Sequence, residues 1–170
     1  DITFTGTINS VGILSNATNF SESLLISQDA GTGTLSSASA NTGFGFEVFD
    51  DLTSGVRNTA FGRQALTVLT TGANNVAVGS LALDANTTAD NNTAVGRSAG
   101  TAVTTGGRNT LIGSLAGDSL VDGSDNVAIG YNVDVAASLG NSITLGSSIS
   151  ATGSNDFSFG KASNVVTNNF

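Results

Sequence analysis

The sequence contains no histidine, cysteine, methionine, tryptophan or proline among its 170 residues. Without these side chains the chain cannot form a Ser-His-Asp or Cys-His triad, a zinc site of thiolates and imidazoles, a haem site held by His, Cys or Met, or a disulfide. Most familiar catalytic machinery is therefore excluded. We predict a protein that is not an enzyme and that carries no cofactor and no metal.

Positive charge is also scarce, since five Lys and Arg stand against thirteen Asp and Glu for a net charge of −8. This balance argues against nucleic acid and anionic membrane as partners. No apolar run approaches the roughly 18 residues that span a bilayer, so we expect no membrane insertion. A chain that begins at Asp1 without any methionine is expected to be a processed form or a fragment of a longer protein.

Only 11% of the residues are charged, and Gly, Ser, Thr, Asn and Ala are abundant instead. Some of these residues recur with a strict period. An asparagine recurs with a constant 17-residue period, and a glycine stands at the fourth position after each of these asparagines. Such a register indicates a repeat array of short structural units. The asparagines are Asn41, Asn58, Asn75, Asn92, Asn109 and Asn126, and the glycines are Gly45, Gly62, Gly79, Gly96, Gly113 and Gly130.

The pattern extends beyond this array in both directions. Downstream it tightens to NSITLG, from Asn141 to Gly146, and NDFSFG, from Asn155 to Gly160, so that the last repeat is a 14-residue unit. Upstream, SLLIS from Ser23 looks like a degenerate first turn.

Superposing the repeats, with asparagine as position zero, assigns a role to each column. Position three is always bulky, and we predict that it points into a core. Positions two and seven are mostly restricted to very small side chains, and position fourteen is a second glycine column where we expect a corner with positive φ. The position-three column is Phe44, Phe61, Val78, Val95, Ile112 and Ile129; position fourteen is Gly55, Gly72, Ala89, Gly106, Gly123 and Gly140.

Short strands separated by two glycine corners predict an all-β fold, a parallel β-solenoid or β-roll of 17-residue coils that shorten to 14. Roughly nine turns between Ser23 and Gly160 would form a rod about 43 Å long. Two roles are open for the asparagines. Identical amides can hydrogen-bond to each other up the stack, or each side chain can accept from the backbone of its own turn.

The domain division follows the repeat. We predict a strand or cap over residues 1–22, where Ile2 and Phe4 alternate with threonines, the array over 23–160, and a junction over 161–170. A single coil with one bulky column encloses little apolar volume, so we predict a homotrimer in which the small Ala and Gly columns of the copies meet.

The units NTAFGRQAL, NNVAVGSLAL, NNTAVGRSAG, RNTLIGSLAG and DNVAIGYNV resemble the repeats of bacteriophage tail-fibre shafts and related virion fibres. The 14-residue units are similar to those of trimeric autotransporter adhesin heads. The resemblance implies an intertwined or side-by-side trimeric β-roll or β-prism. It also implies a structural segment of an extracellular virion fibre or phage tail, with other fibre or tail proteins and a host surface glycan or receptor as partners.

In such fibres the closing stretch, here KASNVVTNNF, often leads into a chaperone domain that is released after trimerisation. The alternative is a bacterial surface adhesin head.

Two acidic groups are the candidates for other chemistry. Glu47, Asp50 and Asp51 could serve a tailspike-like glycan depolymerase as acid and base, although acidic residues on a turn are more often solvated charge. A second group could offer oxygen ligands to calcium, but its spacing matches no known calcium loop, so a plain acidic turn is favoured. This second group is Asp118, Asp122 and Asp125.

The arginines pair in columns, Arg63 with Arg97 and Arg57 with Arg108, which is too sparse for a basic patch and favours exposed charge paired with nearby Asp. Threonines also align in two adjacent columns. A flat threonine array is a candidate ice-binding surface, but an exposed solenoid corner is the favoured interpretation. The columns are Thr53, Thr70, Thr87 and Thr104, and Ser54, Thr71, Thr88 and Thr105.

Overall fold

The computed structural model describes residues 6–8, 11–17, 20–27 and 35–169. Over these residues the chain forms strands and turns and no helix. The strands are β1 (Gly6–Ile8), β2 (Val11–Ala17), β3 (Phe20–Ser27), β4 (Ala38–Ser39), β5 (Thr42–Phe44), β6 (Thr59–Phe61), β7 (Val76–Val78), β8 (Thr93–Val95), β9 (Thr110–Ile112), β10 (Val127–Ile129), β11 (Asp134–Val135), β12 (Ile143–Ser147), β13 (Ser150–Ala151), β14 (Asp156–Lys161) and β15 (Asn164–Asn169).

Nine of these strands stack in parallel, in the order β3, β5, β6, β7, β8, β9, β10, β12 and β14. From β5 to β10 each strand residue pairs with the equivalent residue of the next repeat, as Thr42 does with Thr59. The predicted parallel β-solenoid is thus confirmed, with about eight turns between the nine strands rather than nine. At the usual strand spacing this stack is about 38 Å long.

The coil length changes at both ends of the stack without breaking the strand register. Leu24 pairs with Thr42, which makes that coil one residue longer than the regular coil. Val127 pairs with Ile143 and Ile143 with Phe157, so these two coils are shorter by one and by three residues. Position zero therefore falls on Ser142 and Asp156. The prediction that Asn141 and Asn155 continue the asparagine column is wrong, because each of them lies one residue earlier, at the preceding corner.

Antiparallel strands lie at both ends of the stack. β2 pairs with both β1 and β3, and β15 pairs with β14. Each end strand of the solenoid therefore has a hydrogen-bonded neighbour on its outer side, which reduces the number of unpaired backbone groups. Ile2 and Phe4 lie outside the described residues, and the boundaries of the three predicted regions stay a prediction.

The core lies inside the coil and is filled from positions two, seven, eight and eleven. At position two Ala60, Ala77, Ala94, Leu111 and Ala128 are almost completely buried, and at position seven the small residues are buried as well. The alanine columns at these two positions therefore face the inside of the coil and cannot meet between copies, so that part of the trimer prediction is wrong. Position eleven, which the sequence reasoning missed, holds the buried side chains Leu52, Leu69, Asn86, Val103 and Leu120.

The prediction that position three points into the core is also wrong. Phe44 and Phe61 are 48% and 55% exposed, and Val95, Ile112 and Ile129 are exposed too; Val78 is half-buried. Successive strand residues point to opposite faces of a sheet, so only one of positions two and three can face inward. The coil is narrow, and the small side chain of position two is the one that fits inside it.

Side-chain volumes compensate between positions two and eight. Gly43 leaves room for Phe49, because a Cβ at Gly43 would lie 3.0 Å from the Phe49 ring. In the opposite sense, Leu111 fills the space that Gly100 and Gly117 leave, since a Cβ at either glycine would come within 2.7 Å of its methyl carbons. The replacement of leucine by glycine in these two coils is thus matched to the one leucine at position two.

The two glycine columns differ in their physical role. At position four the glycines have φ between +130° and +149°, a conformation that glycine alone adopts readily, and a Cβ would strike the glycine carbonyl of the next coil. At position fourteen the expected positive φ is absent. There glycine is required by close approach, as a Cβ at Gly72 would lie 2.4 Å from the Ala89 carbonyl oxygen. Left-handed residues fall instead at positions six, eight and sixteen, the last of which includes Arg57 and Arg108 with φ of 57° and 59°.

Replacement of Gly79 by valine is expected to disrupt the stack at its corner. The φ of +140° is strained for any L side chain, and the new Cβ would lie 2.3 Å from the Gly96 carbonyl oxygen. We expect a loss of about 3 kcal/mol or more in the free energy of unfolding, measured by thermal or denaturant unfolding. Gly153→Ala is the control, since its Cβ would meet Asp156 at an ordinary 3.5 Å. An unchanged melting temperature for Gly79→Val would contradict this account of the corner.

Candidate functional site

The six position-zero asparagines are fully or almost fully buried and form one continuous hydrogen-bonded column. The Nδ2 group of Asn58 donates to Asn41 Oδ1 at 3.1 Å, and the same bond joins Asn75 to Asn58, Asn109 to Asn92, and Asn126 to Asn109. Asn92 is joined to Asn75 through its backbone N–H, at 3.0 Å from Asn75 Oδ1. Of the two roles open to the sequence, the amide ladder is therefore confirmed, with side-chain bonds at four of its five steps.

Each amide in this ladder also binds the backbone. Asn41 Oδ1 accepts from the backbone N–H of Asn58 at 2.9 Å, in the next coil rather than in its own turn. Its Nδ2 donates to the Gly55 carbonyl oxygen at 2.8 Å, across its own coil. One side chain thus ties two opposite parts of its coil together and connects that coil to the next.

Polar side chains other than asparagine occupy position zero at the ends of the ladder, at Ser23, Ser142 and Asp156. Ser23 Oγ accepts from the Asn41 backbone N–H at 2.8 Å, and the Ser142 N–H donates to Asn126 Oδ1 at 3.0 Å. Ser142 Oγ then reaches the Gly153 carbonyl oxygen at 2.9 Å. In the last coil Asp156 Oδ2 accepts from the N–H and the hydroxyl of Thr152. Position zero therefore needs a buried polar group, and asparagine is the residue that serves both neighbours.

The second feature is the outer strand face, which we define as positions one and three of the nine stacked strands. Position three is apolar in every strand from Ile26 to Phe159, and the rings of Phe44 and Phe61 stack at 5.1 Å with an interplanar angle of 11°. Position one holds either threonine or an aliphatic residue up to Val127, and at Ile143 and Phe157 both columns are apolar. A shallow apolar groove opens at this end, lined by Ile129, Leu145, Gly146, Phe157, Phe159 and Gly160.

The first acidic group lies at positions six, nine and ten of one coil. Glu47 Oε2 accepts from Gln64 Nε2 at 2.5 Å, so this carboxylate is engaged with the next coil. Asp50 is half-buried and Asp51 is exposed. The depolymerase hypothesis gains no further support from this arrangement.

The second acidic group is divided among different partners. Arg108 binds Asp125 through two bonds of 2.6 and 2.7 Å, and the hydrogen bond from Arg108 lowers the pKa of Asp125. Asp118 faces Asp134 instead, and burial, followed by repulsion from Asp134, raises its pKa. Within the described ranges no group of three acidic side chains is placed to hold a metal ion. The structure therefore does not bring the three carboxylates of the second acidic group together.

Among the remaining columns, position sixteen and the first threonine column bind neighbouring coils. Arg57 Nε donates to Asn74 Oδ1 at 2.7 Å in the next coil, as Arg108 does to Asp125. Arg63 and Arg97 are exposed at position five. The first threonine column is half-buried, and its hydroxyls donate to carbonyl oxygens one coil on, as Thr53 Oγ1 does to Thr70 at 2.9 Å. Those hydroxyls are occupied by the fold, whereas Thr71, Thr88 and Thr105 of the second column are exposed to solvent.

Comparisons with protein-family models, curated proteins and solved structures find no match to this chain. Over the residues described here, no helix is long and apolar enough to cross a membrane.

Removal of the Asn75 side chain tests the ladder. Asn75→Ala leaves the buried Asn92 N–H without its acceptor, now 3.0 Å away, and opens a small cavity. We expect a loss of about 2–4 kcal/mol in the free energy of unfolding. Asn75→Ser should cost less, because a serine hydroxyl already accepts the equivalent N–H at Ser23. Asn74→Ala, at the exposed neighbour, should cost about 1 kcal/mol or less. Equal losses at Asn74 and Asn75 would contradict a special role for the ladder.

Stability should depend on pH through Asp118. Because burial and Asp134 raise its pKa above the ordinary 3.8, ionisation is less favourable in the folded chain than in the unfolded one. The free energy of unfolding therefore falls as pH rises from the ordinary value through the raised value. Asp118→Asn should remove this decline, which is visible as the difference between the variant and the wild type in denaturant unfolding across pH. A difference that does not change with pH would refute the assignment.

Proposed function

We propose that this chain is a rigid segment of a homotrimeric virion fibre, of the phage tail type, that projects toward a host surface and supports attachment. The observation that carries the proposal is the rod itself. Nine parallel strands are joined by backbone hydrogen bonds and by an amide ladder buried along the stack. Bending or unwinding such a rod requires many cooperative bonds to break together, which suits a mechanical spacer.

The surface of the rod agrees with a structural role better than with catalysis. Side-chain hydrogen bonds at positions six, nine and sixteen join the same position of neighbouring coils, as between Gln64 and Glu47, Thr101 and Asp84, and Arg108 and Asp125. A spacer of this kind acts together with other virion fibre or tail proteins. A host surface glycan or receptor would be contacted by the fibre as a whole.

A bacterial surface adhesin head is the second candidate. It is favoured by the shorter coil between Ile143 and Phe157, which has the same length as the units that resemble adhesin heads. The two candidates use the same rod, and they differ in the gene. An adhesin gene should encode a C-terminal membrane-anchoring barrel, whereas a fibre gene should lie among virion structural genes.

The solution mass of residues 1–170, measured by light scattering after size exclusion, tests the homotrimer. We expect three times the 16.8 kDa of one chain, and we expect this mass to persist in mild detergent. A stable 16.8 kDa species would overturn the trimeric fibre segment and favour a single-chain binding protein.

A further inference from the structure

We propose that copies of this chain associate through the outer strand face, and that they do so in parallel, with their rod axes running in the same direction. The proposal deepens the proposed function, on whose self-association it rests, by naming the face and the direction.

The exposed apolar side chains are concentrated on this face. Among the described residues ten large hydrophobic side chains are exposed, and eight of them stand at position one or three of the stacked strands. A ninth, Val166, lies directly opposite Phe159 in the neighbouring strand β15 and so shares its face. Tyr131 alone lies elsewhere. A contiguous apolar surface of this length is unusual on a soluble chain unless it is covered by a partner.

The same face carries no charge. All eighteen residues at positions one and three of the nine strands are uncharged, whereas the chain as a whole has a net charge of −8. Two copies with this charge repel each other over most of their surfaces. The outer strand face is the long surface on which identical copies approach without bringing like charges together.

The periodicity of the face selects a second copy as its occupant. Its apolar side chains repeat at the strand spacing of about 4.8 Å over about 38 Å. A partner must present side chains with the same pitch along the same length to fill the spaces between successive layers. Another copy of the chain has the same spacing between side chains, because its outer strand face is formed by the same coils.

The charges beside the face favour the parallel direction. On one edge, just after the position-four corner, Arg63, Arg97 and Lys161 are exposed at position five. On the other edge, at positions fifteen and sixteen, Arg57 and Arg108 are balanced by Asp90 and Asp125. In an antiparallel face-to-face pair the cationic edge would meet itself. Rotation about the rod axis instead places the cationic edge of one copy beside the balanced edge of the next, which is electrostatically more favourable.

A matched pair of substitutions tests the face. Thr59, at position one of β6, and Thr71, at position thirteen, are both exposed. Thr59→Lys would place a charge inside the proposed interface and should weaken association by at least about tenfold, seen as a loss of the assembled mass at equal concentration. Thr71→Lys should keep the wild-type mass. If Thr59→Lys keeps the assembled mass, or if Thr71→Lys dissociates equally, the assignment of the face is overturned.

Cysteine cross-linking tests the direction and does not depend on how well the lysine variant folds. The chain has no cysteine of its own, so each introduced thiol is unique. In a parallel assembly Thr59→Cys should be joined between copies by a short bismaleimide, and Thr71→Cys should not. In an antiparallel pair centred on β8, β6 of one copy would lie opposite β10 of the other copy. The two β6 strands would then be about 19 Å apart along the rod. Cross-linking only in a mixture of Thr59→Cys with Val127→Cys would therefore overturn the parallel direction.

The outcomes separate this inference from the proposed function. A wild-type monomer overturns both. A trimeric wild type whose mass is unchanged by Thr59→Lys overturns the face and leaves the fibre segment standing. A two-copy assembly that cross-links through Thr59→Cys supports the face and the direction and overturns the trimer.

Discussion

The buried amide ladder is the interaction that constrains the rest of the structure. The side chains of Asn58, Asn75, Asn109 and Asn126 each bind the preceding coil, their own coil and the next coil, so a slip of one residue would leave several buried polar groups without partners. Three coils depart from the regular length of 17 residues. Each of them lies between two position-zero residues of which at least one is not asparagine, namely Ser23, Ser142 or Asp156. Coil length and the identity of the position-zero residue therefore change together.

Stacking identical positions at the strand spacing also restricts where charge can be placed. At position nine, carboxylates occur only in alternate coils, and Thr101 Oγ1 donates to Asp84 Oδ1 at 2.6 Å in the preceding coil. At position five, from Arg63 onward, serine separates the long side chains in the same way. Adjacent like charges would repel, so the alternation reduces the repulsion while leaving the surface polar. The columns are Asp50, Thr67, Asp84, Thr101 and Asp118, and Arg63, Ser80, Arg97, Ser114, Tyr131, Ser147 and Lys161.

The narrowness of the coil explains both its core and its outer surface. One small residue per strand points inward, and its volume is adjusted to the residue at position eight, as for Gly43 with Phe49 and Leu111 with Gly117. Little apolar volume is left inside, so the bulky residues of each strand stand outside. The proposed association surface is thus a consequence of the same geometry that closes the coil.

The sequence by itself determined the repeat, the parallel stacking and the position-four glycine corner, because a constant period must place equal residues at equal points of every coil. It also identified the asparagine column as a ladder candidate. It did not decide which of two adjacent apolar columns faces inward, since strand alternation is symmetric until the width of the coil is known. It also misplaced Asn141 and Asn155, because a one-residue change in coil length becomes visible only when the strand pairing is known. The tertiary structure decided these points, since only there do the space inside the coil and the partners of each amide become fixed.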